Sequence, residues 1–108
     1  MFKRGDRVVG KNKFSEPTLF ILISLAEENR HGYAIMEDIE KNYDVKLGPG
    51  TLYGAISRLE KAGYIEVLES QDRKKPYKLT EEGQIYLTEQ IKEIQKVTSL
   101  GLKRLGLV

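Results

Sequence analysis

The stretch GPGTLYGAISRLEKAGYI, residues 48 to 65, holds the side chains of this sequence best suited to chemistry with another molecule. On a helix over residues 51–62, Leu52, Ala55, Ile56, Leu59 and Ala62 recur at three- and four-residue steps and line a face that must be buried. The other face carries Thr51, Tyr53, Gly54, Ser57, Arg58 and Lys61, with Glu60 the only acid nearby. Hydroxyl, phenol, guanidinium and ammonium donors held on a helix match the acceptors of base edges and phosphates. A second basic set follows in DRKKPYK, where Arg73, Lys74 and Lys75 face a single Asp72. Each such charge that neutralises a phosphate releases counterions. A polar helix face alone is commonly just solvated, and charges at a loop tip commonly keep it soluble. The two sets follow one another directly along the chain, which favours an anionic partner.

Other chemistries lack their residues. With Cys at zero there is no disulfide framework, no thiolate nucleophile and no thiol-rich zinc site. His31 is the single histidine, too few for a metal site or a proton relay, and its expected job is structural, ahead of Gly32 and Tyr33. Glu27, Glu28, Glu37, Asp38, Glu40 and Asp44 have no nucleophile or base beside them, so they read as a solvated face. No enzyme, cofactor or metal is expected. The most apolar run, Leu19 to Ala26, is far short of the roughly 20 residues of a membrane span, and the amino terminus has no apolar signal core. A cytoplasmic protein with no membrane partner is the expectation.

The elements that must position these residues follow from the pattern. A chain of 108 residues, 40% hydrophobic and 31% charged, suits one globular domain. The net charge of +2 hides a segregation. Lys3, Arg4, Arg7, Lys11 and Lys13 make residues 1–14 a flexible basic arm, a solubilising tail or a clamp on a DNA backbone. Ser15 or Glu16 starts a first helix, with Pro17 in its first turn, and Leu19 to Ala26 make it a central core helix. Tyr33, Ile35, Met36, Ile39 and Tyr43 give a second helix its apolar face, ending near Asn42, with Tyr33 and Tyr43 in the core or at its edge. YDVKLGPG is a turn, in which Gly48, Pro49 and Gly50 supply special backbone angles before a third helix at Thr51 that stops at Gly63. YIEVLES and KPYKL read as two strands with QDRKK at the hairpin tip, and Pro76 stiffens the returning strand. Thr80 caps a long last helix, with Glu81 and Glu82 in its first turn. Two helices joined by a tight glycine-containing turn and followed by a basic hairpin form the layout of a winged helix-turn-helix.

At HGY (31 to 33), GTLYGAISRLEKAGYI (50 to 65) and KPYKLTEEG (75 to 83) the chain resembles the PadR family of bacterial transcriptional regulators, over about residues 17 to 95. The resemblance implies a homodimeric winged-helix repressor, its third helix reading operator DNA, its wing touching the backbone and its carboxy-terminal helix making the dimer. The chain is similar to the short subfamily with a single such helix. It departs from the family at Gly54, where many relatives have a proline, and at the wing tip SQDRKK, which has no glycine and leaves the turn type open. It also has no Trp, whereas ligand-sensing relatives place an aromatic side chain at the dimer interface; here that region holds Ile91, Ile94 and Val97.

The expected fold class is therefore α+β, mostly α: a winged helix-turn-helix of three helices and a two-stranded wing over residues 15–79, with a dimerisation helix over 80–108. The expected DNA-binding residues are Thr51, Tyr53, Ser57, Arg58 and Lys61 on the helix over 51–62, with Arg73, Lys74 and Lys75 on the wing over 70–77. Leu87, Ile91, Ile94 and Val97 form the expected dimer interface, in heptad-like spacing that Thr98 and Gly101 interrupt. The expected partners are a palindromic double-stranded DNA operator and a second copy of the chain. The alternatives are a winged-helix protein-interaction module without DNA affinity, against which Arg58 and Lys61 argue, and a repressor whose dimer pocket senses small aromatic effectors.

Overall fold

The computed structural model describes residues 17–108, which fold as four helices and a two-stranded antiparallel sheet. The basic arm at 1–14 and the helix start at Ser15 or Glu16 lie outside the described residues.

Helix α1 (Pro17–Glu27), PTLFILISLAE, has almost no polar face to give to water, so other elements must surround it. Helix α2 (Gly32–Tyr43), helix α3 (Pro49–Ala62), strand β2 (Tyr77–Leu79) and helix α4 (Glu81–Arg104) all pack on it. Ile21 and Leu22 are left with 0% of their surface. Ile35 and Ile39 of α2, Leu52, Ala55, Ile56 and Leu59 of α3, and Ile65 complete the core.

His31 caps α2, its Nδ1 accepting from the Ala34 N–H at 3.3 Å, which is the structural role expected of it. The buried line of α2 runs through Gly32, Ile35 and Ile39. Tyr33 stands one residue off that line and is 52% exposed, a correction to its expected core place. Tyr43 does reach the core edge, stacking on Phe20 with ring centroids 4.4 Å apart. The helix closes at Asp44, whose backbone is left-handed (φ 56), a conformation aspartate tolerates better than most residues.

Helix α3 begins two residues earlier than expected. Gly48 is an extended N-cap (φ −76) and Pro49 takes the first helical position, where its missing N–H costs nothing. Neither needs the special angles expected of them. The left-handed glycine is Gly63 (φ 83), which stops α3 as expected. Ala62 is exposed rather than buried, at the last residue before that turn, where the core ends.

Strand β1 (Ile65–Val67) pairs with β2 in the register Ile65 to Leu79, Glu66 to Lys78 and Val67 to Tyr77. Both strands are shorter than their apolar runs. The ladder closes with the Leu68 N–H donating to the Pro76 carbonyl at 2.8 Å, and Pro76 has no N–H to extend it. On the other edge Arg30 bridges Tyr77 through both backbone groups.

Thr80 caps α4: its hydroxyl accepts from the Gly83 N–H at 3.0 Å and donates to the Gly63 carbonyl at 2.6 Å, tying the end of α3 to the start of α4. Tyr64 and Tyr86 stack above this junction, 4.3 Å apart. Leu87, expected at a dimer surface, is taken up by the chain's own core and keeps 7% of its exposure. The helix then continues unbroken past Thr98 and Gly101 to Arg104.

Gly83 lies so close under Tyr64 that a Cβ would collide with its carbonyl oxygen and come within 2.9 Å of Leu79 Cδ1. Gly83→Ala should therefore cost about 2 to 3 kcal/mol in urea unfolding. Gly54→Ala, whose Cβ meets nothing nearer than Arg58 Nη1 at 3.8 Å, should instead gain about 0.5 to 1 kcal/mol from helix propensity.

Candidate nucleic-acid interface

Because Leu52, Ala55, Ile56 and Leu59 commit one side of α3 to the core, the helix has no freedom to rotate, and its opposite side is fixed outward. Thr51, Tyr53, Ser57, Arg58 and Lys61 are all exposed there, and Gly54 leaves a gap in the middle of the row. Tyr53 is the least free of them. Its ring lies against Gly32 so closely that any side chain at position 32 would overlap the phenol. The contact sets Tyr53 beside the amino end of α2, where the helix dipole favours an anion.

The wing reaches the same place. Arg73, Lys74 and Lys75 border a cleft of about 380 Å³ together with Tyr53, Tyr77 and the Gly32 end of α2. Among the described residues no acid forms an ion pair with Arg73 or Lys74, whereas Lys75 Nζ lies 3.3 Å from Glu69 Oε1. That pair is on the surface, with 45% and 90% of its side chains exposed, and holds Lys75 only weakly. The tip is shaped by the Ser70 hydroxyl, which accepts from the Asp72 N–H at 3.1 Å, a local turn that needs no glycine. Burial raises the Tyr77 phenol above its ordinary pKa, and the nearby Glu60 carboxylate and Tyr53 phenol push it the same way.

The acids of α1 and α2 stand apart. Glu27, Glu37, Asp38 and Glu40 line a separate depression along α2 with Arg30 among them. Among the described residues there is no group of three His, Asp or Glu able to hold a metal, and no helix is long and apolar enough to cross a membrane.

The structure thus gathers Tyr53 and the three wing cations around one cleft and leaves Thr51, Ser57, Arg58 and Lys61 on the adjoining helix face. Sequence reading missed Tyr77 and the amino end of α2 as parts of this surface. The only signal for the second was HGY, where a glycine precedes a tyrosine at a helix start.

A profile described as the Transcriptional regulator PadR-like family matches residues 21–89. A protein of transposon TN4556 from Streptomyces fradiae is 41% identical over 69 residues, 64% of this chain and 20% of that protein. The transcriptional regulator YqjI of Escherichia coli is 30% identical over 86 residues, 76% of this chain and 41% of YqjI. The chain therefore spans about a fifth and about two fifths of these relatives' lengths. A crystal structure of a PadR family transcription regulator from Clostridium difficile superposes with a TM-score of 0.74 at 26% identity, covering 82% of this chain and 97% of the other.

If the wing cations meet phosphates, Lys74→Ala with Lys75→Ala should weaken binding to any DNA duplex alike and flatten the salt dependence of affinity by about two units of slope. Fluorescence anisotropy titrations at several salt concentrations measure this, and a wild-type slope would place the wing away from DNA.

Proposed function

The chain belongs to the PadR-like family of transcriptional regulators, and on that premise we propose that it is a homodimeric repressor that reads a palindromic operator. Members of this family are DNA-binding regulators, not enzymes. The observation that carries the finer reading is the single cleft shared by Tyr53 of α3 and Arg73, Lys74 and Lys75 of the wing.

In this reading α3 enters the major groove with Arg58 and Lys61 towards base edges or phosphates, and Thr51, Tyr53 and Ser57 as shorter donors. The wing cations follow the flanking backbone, where they supply affinity with little sequence preference. Residues 15–79 make the DNA-binding unit, and α4 within 80–108 makes the dimer. Repression follows by occupying the operator in the cytoplasm, where DNA and polymerase meet.

One α3 covers only a few base pairs, so two copies related by a two-fold axis are needed to reach both affinity and discrimination. Helix α4 offers the surface for that. Ile91, Val97, Leu100, Leu102 and Leu105 are exposed and Ile94 is half-buried, more apolar area than the end of one small domain covers. Ile91 and Ile94 also border an apolar groove of about 550 Å³ with Leu19, Phe20, Ile23 and Tyr43 of α1 and α2. The Phe20–Tyr43 stack beside it favours the second reading, a repressor whose dimer pocket takes a flat aromatic effector. Melting-temperature shifts with a panel of such compounds separate the two.

Arg58→Ala should weaken specific binding by about 1 to 3 kcal/mol if the guanidinium reads a base edge. Unchanged affinity in alanine variants of all five α3 residues would remove this helix from the interface. Val97→Glu with Leu100→Glu should split the dimer and abolish operator binding while circular dichroism stays native. A folded variant that remained dimeric by light scattering would move the dimer contact away from α4.

A further inference from the structure

We infer that Arg30 is the positioning residue of the wing, its guanidinium fixing the α1–α2 connector on which β2 hangs and so setting where Arg73, Lys74 and Lys75 stand relative to α3. Both backbone groups of Arg30 are used on the wing: its N–H donates to the Tyr77 carbonyl at 3.3 Å and its carbonyl accepts from the Tyr77 N–H at 2.8 Å. Strand β1 follows α3 through Gly63 and Tyr64 and therefore moves with it. Strand β2 is held on one edge by β1 and on the other by residue 30.

The Arg30 side chain decides where that second anchor lies. It is 14% exposed, and its Nε donates to the Ser24 carbonyl of α1 at 3.2 Å. Its Nη2 stands 3.9 Å from the half-buried Asp38 of α2, and Nη2 and Nη1 meet the exposed Glu27 and Glu28 at 3.2 and 3.4 Å. The exposed pairs contribute little each. The planar fork is what allows one group to reach α1 and α2 together, a geometry an ammonium cannot copy. Tyr77, the residue so held, stands beside Tyr53 of α3, so the cleft between wing and helix depends on this anchor.

The inference rests on the DNA-contacting role proposed for the wing, and its test separates the two. The chain has no cysteine, so Gln71→Cys carries a single spin label at the wing tip. Arg30→Met keeps the aliphatic stem and removes the fork. In the folded variant the label should become more mobile. The salt slope of DNA binding should fall by about one to two units, with operator and random duplex weakened alike, and adding Arg30→Met to an Arg73→Ala, Lys74→Ala, Lys75→Ala variant should flatten the slope no further. A merely structural defect lowers the active fraction and leaves the slope unchanged. Wild-type label mobility, a wild-type slope or additive flattening overturns the proposal. Arg30→Lys, which keeps the charge without the fork, should give the same changes in smaller measure and replaces Arg30→Met if that variant does not fold. Should the triple alanine variant itself keep the wild-type slope, the wing reading fails, and label mobility alone decides the role of Arg30.

Discussion

Everything in this molecule hangs on the burial of α1. A helix that is apolar almost all round can be satisfied only by partners on every side, and α2, α3, β2 and α4 each give it one face. That constraint fixes the rotation of α3 through Leu52, Ala55, Ile56 and Leu59, and so determines which residues face outward. Thr51, Tyr53, Ser57, Arg58 and Lys61 are exposed because the core has no room for them and no need of them. The first turns of α4 are committed in the same way through Gly83 and Leu87, while among the described residues its later turns leave Val97, Leu100 and Leu102 exposed.

Much of this was legible in the sequence because it is local. Three- and four-residue spacing located α1 to α3, Thr80 and Gly63 marked helix ends through their own capping chemistry, and the basic tip between two β-rich runs marked the wing. The family resemblance rested on the same stretches. What escaped was non-local. The pairing of Arg30 with Tyr77 joins residues far apart in sequence and leaves no pattern in either neighbourhood. Tyrosines misled for a related reason, since an amphipathic ring fits a helix stripe on paper whether or not the helix buries it; Tyr43 stacks on Phe20 while Tyr33 faces solvent. Leu87 fitted a heptad with Ile91 and Ile94, and only the packing of α4 on α1 shows that it belongs to the core.

The charge pattern completes the division of labour. Cations gather at the wing and the outer face of α3, and acids along the end of α1 and along α2, where Arg30 holds Glu27, Glu28 and Asp38. A net charge of +2 therefore says little about the surface a partner meets. An anion approaching the cleft meets Arg73 and Lys74, unpaired among the described residues, and the positive end of α2, while the acids of α1 and α2 lie around a different depression.

The central claim is that two α3 helices, related by a two-fold axis through α4, read one operator. Selection of bound sequences from a random DNA pool tests it most directly, because the recovered motif carries the symmetry of whatever bound it. The account predicts an inverted repeat with half-site centres about 34 Å, one helical turn, apart. A motif without two-fold symmetry, or no enrichment over random DNA, would contradict it.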